Sequence, residues 1–310
     1  MKAVRVHQFG GGVHVDEVAE PLARDTDVLI RVRHIAVNPL DLWVSQGTVA
    51  GGDQHLPFVV GTEAVADHDG HLVLVHGAGI GVTRDGLCRE LADVPLTACT
   101  PLPGNIDPRQ AAAAAVAGVT AWRLVHELTE TTASDVALVL GASGGVGSLL
   151  VQVLRDVGCR VVAQTSSEKK RCHLTDLGAD EVIVTSAETL PELEPAPSVI
   201  FDPLGGPATA RAMVLLGPFG RHALFGTSQA PTAPVDLRAF YRKAGRLLGY
   251  SQTIDPPSAL LSAMIHVLDQ LAAGRLRVPI DEVLPLDRAP EAHRRLQQRS
   301  VRGKVILDVT

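Results

Sequence analysis

The residues best suited to chemistry lie in Ala142-Ser143-Gly144-Gly145-Val146-Gly147, where glycines let a ligand meet bare main chain. Leu149, Leu150, Val153 and Leu154 recur at helical spacing behind them, so a helix begins inside the run. The unsatisfied N–H groups and positive dipole end of a helix start form an anion site, the usual seat of a pyrophosphate. The run fits the dinucleotide fingerprint with Ala142 in place of the first glycine. A second polar group follows in Gln164-Thr165-Ser166-Ser167-Glu168-Lys169-Lys170-Arg171. NAD-binding units place an acid here to hold the ribose hydroxyls, whereas a 2′-phosphate needs cations and hydroxyl donors. No acid precedes Glu168, and two of the chain's five lysines, Lys169 and Lys170, fall in this stretch. A solvated basic first helical turn is the plain alternative, but these residues favour NADPH over NADH.

The elements that must position these groups are legible around them. Val136 to Leu140 are apolar and mostly branched without a helical period, as in a strand buried on both faces of a parallel sheet. Arg160 to Gln164 supply the second strand and close a βαβ unit. A membrane helix over Val136 to Leu154 is the competing reading, since this span carries no charge. Glycines crowded at mid-span and the flanking Asp135, Arg155 and Asp156 argue against it. The α/β alternation then continues: helix Glu168–Leu177 stopped by Gly178, strand Val182–Val184, strand Ser198–Asp202, helix Pro207–Leu216, strand Arg221–Phe225 and strand Gly245–Tyr250. Six strands in this order predict a doubly wound sheet whose ligand crevice lies at the strands' carboxyl ends. Asp202 to Gly205 with Leu204, Phe225 to Ser228 with Gly226, and Gly249 to Ser251 with Tyr250 then lie along the dinucleotide.

Residues before about 115 read as short strands separated by Gly, Pro and Asp: Lys2–His7, Val28–Ala36, Leu72–His76 and Leu87–Ala92. Asp107 caps a helix with Pro108 at its first position, and the alanine run 111–117 packs within it. Leu260, Leu261, Met264, Ile265, Leu268 and Leu271 form an apolar helical stripe ending near Gly274, which core packing accounts for. A helix over Pro290–Arg299 and a strand over Gly303–Val309 follow and return to the first domain. The expected division is residues 1–117 plus 261–310 as one domain and 118–260 as an inserted dinucleotide-binding domain.

Composition narrows the function. At 310 residues the chain can bury a large core, and a net charge of −6 with 3% aromatic residues favours neither nucleic-acid binding nor base stacking. Cys88, Cys99, Cys159 and Cys172 have neither zinc-ribbon nor disulfide spacing and read as small hydrophobes. The first residues, MKAVRVHQFG, lack an apolar signal region, so a cytoplasmic protein with no membrane partner is expected.

Motifs along nearly the whole chain resemble those of medium-chain dehydrogenase/reductases, specifically the zinc-free quinone oxidoreductase branch that includes zeta-crystallin. They are Val37-Asn38-Pro39-Leu40-Asp41, PFVVGTE at 57–63, Ala117-Gly118-Val119-Thr120-Ala121-Trp122, GASGGVGS at 141–148, Leu177-Gly178-Ala179-Asp180, Phe201-Asp202-Pro203-Leu204-Gly205-Gly206 and Gly303-Lys304-Val305-Ile306-Leu307. The resemblance implies a mainly β, GroES-like catalytic domain, an inserted Rossmann domain, a cleft between them and a homodimer formed by the Rossmann domains. It implies that Asn38 and Thr120 approach the nicotinamide, that Ser143, Gly144, Gly145, Val146 and Gly147 hold the pyrophosphate, and that Ser166, Ser167 and Lys170 hold the 2′-phosphate. Counting back from Leu177-Gly178-Ala179-Asp180 selects Lys170 over Lys169. The resemblance also implies that Lys304 lines the cleft.

Zinc-dependent relatives place Cys near Asn38 and a His-Glu pair at Thr62-Glu63, so no metal is expected here. His68, His71 and His76 read as loop and strand positions. Quinone and enoyl-thioester reductases commonly carry a tyrosine after the Asp41 position or in the loop after Gly47, where this chain has Trp43, Val49 and Ala50. The 63–86 segment is also shorter than in most relatives. The implied reaction is zinc-independent hydride transfer from NADPH to a small quinone or α,β-unsaturated carbonyl, with Asn38, Thr120, Trp43 and Lys304 as catalytic candidates. An enoyl-thioester reductase and a non-catalytic NADPH-binding protein are the alternatives.

Overall fold

The computed structural model describes residues 1–22, 24, 26–49 and 55–309. Ala50, one of the positions expected where relatives carry a tyrosine, lies outside them. The chain forms two compact units, Met1–Val119 with Thr253–Thr310 and Thr120–Gln252. The divisions differ from the expected 117/118 and 260/261. A boundary at 260 would cut the helix Pro257–Ala272, whose buried residues Ala263, Met264, Val267 and Leu268 make it one packing element.

The second unit is built on a six-stranded sheet in the order Glu181–Val184, Arg160–Thr165, Val136–Val139, Val199–Asp202, Arg221–Leu224, Arg246–Gly249. Every pairing in it is parallel. In chain order of the unit's own strands this is 3-2-1-4-5-6, the doubly wound order, which reverses between Val136–Val139 and Val199–Asp202. Ala137, Leu138 and Val139 are fully buried, because a central parallel strand is covered on both faces. The helix Gly145–Val157 buries Leu149, Leu150, Val153 and Leu154 and ends at Gly158, whose φ of 84° closes it in the left-handed conformation. The expected helix over 168–177 divides into a 3-10 turn, Glu168–Lys170, and an α-helix, Arg171–Leu177.

The first unit carries a three-stranded sheet, His14–Glu17, Lys2–Val6, Phe58–Val59, and a seven-stranded sheet. The latter runs Ile280–Pro285, Lys304–Asp308, Asp27–Val37, Glu63–His68, His71–His76, Cys99–Pro101, and Leu91–Pro95 pairs with Asp27–Val37 off that path. The returning strand Lys304–Asp308 pairs antiparallel with Asp27–Val37, its Val305 opposite Val37. The strand expected over Leu87–Ala92 begins only at Leu91. The preceding residues hydrogen-bond irregularly instead, Leu87 N–H to Gly61 O at 2.9 Å and Cys88 N–H to Val60 O at 2.9 Å. The apolar stripe of helix Pro257–Ala272 is also not wholly core: Leu261 and Ile265 are nearly half exposed, because burial follows the adjoining row through Ala263 and Val267.

Candidate functional site

In the second unit the glycine turn joins strand Val136–Val139 to helix Gly145–Val157. Gly141 has φ 57° and donates its N–H to Gln164 Oε1 at 2.9 Å, while Ala142 donates to Gln164 O at 2.9 Å. Gln164 Nε2 donates onward to Thr185 O at 2.7 Å, so one side chain from the neighbouring strand fixes the turn. A Cβ on Gly147 would lie 2.6 Å from Gly141 O and 2.7 Å from Ala142 Cα, so close helix-to-turn packing excludes any side chain there. At Gly144 a Cβ would make only an ordinary 3.4 Å contact, so packing within the chain does not demand glycine. The cradle is open on that side. Gly144, Gly145 and Val146 are half-buried at the helix start, where the first N–H groups have no intrahelical acceptor. Ser143 Oγ lies 3.3 Å from Thr165 Oγ1, which ties the turn to the end of the next strand.

That strand is followed by exposed Ser166, half-buried Ser167 and the turn Glu168–Lys170. Lys170 is half-buried and donates its N–H to Ser167 O at 3.0 Å, whereas Lys169 is exposed. Glu168, the only acid in the stretch, accepts from Arg171 Nε at 2.5 Å, and this hydrogen bond holds its carboxyl below the usual range. The parallel pairing brings the glycine turn and Ser166–Lys170 to neighbouring strand ends. These residues fit an adenine dinucleotide with a 2′-phosphate: bare main chain at a helix start, then hydroxyls and a cation one strand away.

Further along the same sheet, Asp202 Oδ1 accepts from the N–H groups of Leu204 at 2.7 Å and Gly205 at 3.3 Å. Its Oδ2 accepts from Thr209 Oγ1 at 2.5 Å and lies 3.0 Å from His222 Nε2. Phe225 N–H donates to Asp202 O at 3.0 Å, and a Cβ on Gly226 would meet Pro203 O at 2.8 Å. Gly249 ends the sixth strand, and Tyr250 N–H donates to Leu224 O at 2.9 Å. The Arg123 guanidinium lies 5.9 Å from the centre of the Tyr250 ring. Thr120 is buried in the helix Pro108–Arg123.

The first unit holds a buried polar cluster. Asn38 caps the helix Pro39–Ser45, Glu63 opens strand Glu63–His68, and Lys304 opens strand Lys304–Asp308. Lys304 Nζ donates to Glu63 Oε1 at 2.6 Å and to Asn38 Oδ1. Asn38 Nδ2 donates to Glu63 Oε1 at 2.8 Å and to Thr62 Oγ1 at 3.3 Å. Glu63 Oε2 accepts the Val116 N–H at 2.5 Å. Asp41 Oδ2 accepts the Asn38 N–H at 2.7 Å, leaving Asp41 Oδ1 buried without a hydrogen-bond partner among the described residues. Burial, reinforced by the charge of Glu63, pushes the Asp41 carboxyl up to about 7. His76 Nδ1 lies 3.0 Å from Thr62 O, which places its proton on Nδ1, and burial lowers its pKa.

Asn38 and Lys304, far apart in sequence, thus meet, joined by Glu63, Thr62 and Asp41. Trp43 lies on the same helix, half-buried, its carbonyl accepting from Thr48 Oγ1 at 2.9 Å. Sequence reasoning places Glu63, Thr62 and Asp41 only within motifs and misses Gln164 and Asp202 as positioning groups. A Gln near the end of an otherwise apolar strand is the available signal for Gln164.

The cluster does not fit a catalytic zinc. At the positions where zinc-dependent relatives carry ligands, Asn38 and Thr62 supply neither thiolate nor imidazole and Glu63 already accepts from the Lys304 ammonium, and among the described residues no three His, Cys, Asp or Glu side chains group to hold a metal ion.

Both units have known counterparts. Residues 177–307 match the family described as zinc-binding dehydrogenase. The chain is 29% identical over 316 residues to the putative quinone oxidoreductase YhfP of Bacillus subtilis, covering 95% of this chain and 94% of that one. It is 28% identical to the quinone oxidoreductase of Sus scrofa over 326 residues, covering 99% and 97%. The quinone oxidoreductase of Thermus thermophilus, solved also with NADPH, superposes with a TM-score of 0.87 at 28% identity over the full length of both chains. The fold is a Rossmann unit inserted into a GroES-like unit, the architecture of the medium-chain dehydrogenase/reductases. The chain is similar to quinone oxidoreductases of that group along nearly its whole length. Among the described residues no helix is long and apolar enough to cross a membrane.

Proposed function

We propose that this protein is an NADPH-dependent, zinc-independent reductase of a small quinone or α,β-unsaturated carbonyl. The observation that carries the reading is the helix start at Gly144–Val146, open at Gly144, beside the hydroxyls and lysine of Ser166–Lys170 on a doubly wound sheet. NADPH, when bound, supplies a hydride to the acceptor, leaving NADP+ and an anion that takes one proton. Ser143, Gly144, Gly145, Val146 and Gly147 hold its pyrophosphate. Ser166, Ser167 and Lys170 hold the 2′-phosphate. Leu204, Phe225, Gly226, Gly249 and Tyr250 line the remainder, and Thr120 contacts the nicotinamide.

Asn38 and Lys304 stabilise the negative charge that develops on the acceptor oxygen, the role of pre-set donors in a dry site. Trp43 bounds the acceptor. A quinol anion can take its proton from solvent, which suits a chain with no tyrosine at the family's position. We further propose a cytoplasmic homodimer through the sixth strand, Arg246–Gly249, which among the described residues is an unpaired sheet edge on which Leu247 is half exposed.

Calorimetry with NADPH and NADH, followed by turnover of 1,4-naphthoquinone and of a crotonyl thioester, tests the reading. Tight NADPH binding, weakened at least about tenfold by K170A through loss of a charge-assisted contact, supports it. Absence of heat with either coenzyme overturns it, and a clear preference for NADH overturns the roles of Ser166, Ser167 and Lys170. NADPH bound without consumption of any acceptor would leave a non-catalytic binding protein.

A further inference from the structure

The cluster around Asn38 contains more charge than it can keep. Asp41, Glu63 and Lys304 are 1%, 0% and 3% exposed, so solvent screens none of them. Glu63 and Lys304 neutralise one another through a direct 2.6 Å hydrogen bond. Among the described residues Asp41 has no cation of its own: Oδ2 accepts the Asn38 N–H, Oδ1 has no hydrogen-bond partner there, and Thr62 is the neighbouring hydroxyl. The other titratable neighbours bring no compensating charge. Burial keeps His76 neutral and the Cys88 thiol protonated. An ionised Asp41 would leave one net negative charge sealed in low dielectric, which a carboxyl avoids by holding a proton.

We propose that this cluster stores one exchangeable proton, on Asp41, and that its release slows hydride transfer by placing a negative charge beside the Asn38–Lys304 pair. The inference rests on the acceptor role given above to Asn38 and Lys304. Its physical route is a hydrogen-bonded chain. Asn38 Nδ2 donates to Thr62 Oγ1, Asn38 Oδ1 accepts from Lys304, and Asp41 lies against Asn38 and Thr62. With Asp41 protonated the cluster is neutral and Lys304 can favour an anion on the acceptor. With Asp41 ionised the same ammonium faces two carboxylates, and its effect on the acceptor is weakened. Asp41 is therefore a positioning residue with a charge switch, acting through Asn38 and Lys304. The elevation of its carboxyl to about 7 puts the switch near neutral pH.

Two measurements on the full-length protein test this, one needing no turnover. Infrared titration of the ligand-free protein should show a protonated-carboxylic-acid carbonyl band that disappears with a midpoint near neutrality and is missing from D41N. Asn is the shape of the neutral acid and can still accept the Asn38 N–H, so this variant is expected to fold. Single-turnover oxidation of NADPH by 1,4-naphthoquinone should slow above neutrality in the wild type, and D41N should lack that alkaline decline. E63Q, which removes the charge that helps hold the proton on Asp41, should move both midpoints to lower pH. No titrating band, or a band whose removal in D41N leaves the alkaline decline intact, overturns the proposal. If no acceptor consumes NADPH, the reductase reading falls and the infrared midpoints of wild type, D41N and E63Q alone decide whether Asp41 keeps the proton.

Discussion

Two buried groups of the first unit should make opposite contributions to the pH dependence of stability. His293 is 5% exposed, neither ring nitrogen has a hydrogen-bond partner among the described residues, and burial lowers its pKa from 6.5 to about 4. Between those values the unfolded chain carries the proton and the folded chain does not, so stability falls as pH falls, by about 1.4 kcal/mol per pH unit. Asp41 behaves in reverse. Its carboxyl rises from 3.8 to about 7, so the folded chain carries the proton and stability grows as pH falls through the same interval. From about pH 6.5 to 4 the two slopes cancel, and the wild type shows neither. H293L removes one and should gain about 2.7 kcal/mol between pH 6.5 and 4.5; D41N removes the other and should lose a like amount. Urea unfolding at intervals across this range, read by Trp43 fluorescence in a W122F background, follows the first unit specifically. Variant curves that stay parallel to the wild type would refute the reasoning, as would slopes of the same sign.

The remaining predictions concern single contacts. K304M strands Glu63 as an uncompensated buried carboxylate and should cost about 3–5 kcal/mol, most of it recovered in K304M/E63Q, as a double-mutant cycle in urea would reveal. G147A drives a Cβ to 2.6 Å from Gly141 O, so the turn must shift, at a cost of about 1–3 kcal/mol in thermal unfolding and with weaker NADPH binding by calorimetry.

The legibility of this chain follows from where its information is local. The strands Val136–Val139 and Val199–Asp202 are readable because a parallel strand covered on both faces is apolar at nearly every position, and the glycine turn because its steric demand lies within a few residues. Leu91–Pro95 is displaced by several residues from its expected place because Leu87 and Cys88 are as buried as a strand but pair with the irregular backbone at Val60 and Gly61. Leu261 and Ile265 fit a helical stripe equally well whether buried or exposed, and only tertiary packing chose the adjoining row. The candidate site divides the same way. Asn38 and Lys304 come from motif resemblance, and no spacing rule could have shown that Lys304 serves Glu63, 241 residues away. Asp41 is an ordinary capping acid in sequence; its unusual proton affinity comes from neighbours on other strands.

That separation has a consequence for biosynthesis. A ribosome adding about 5–20 residues per second makes Lys304 roughly 12–48 s after Glu63, and the whole Rossmann unit emerges in between. Throughout that interval the nascent first unit lacks both the cation that neutralises Glu63 and the strand that pairs with Asp27–Val37. Translation-arrested chains halted before Lys304 should therefore carry a protease-resistant Rossmann unit and a digestible remainder; equal resistance of both would show that the first unit matures without the strand Lys304–Asp308.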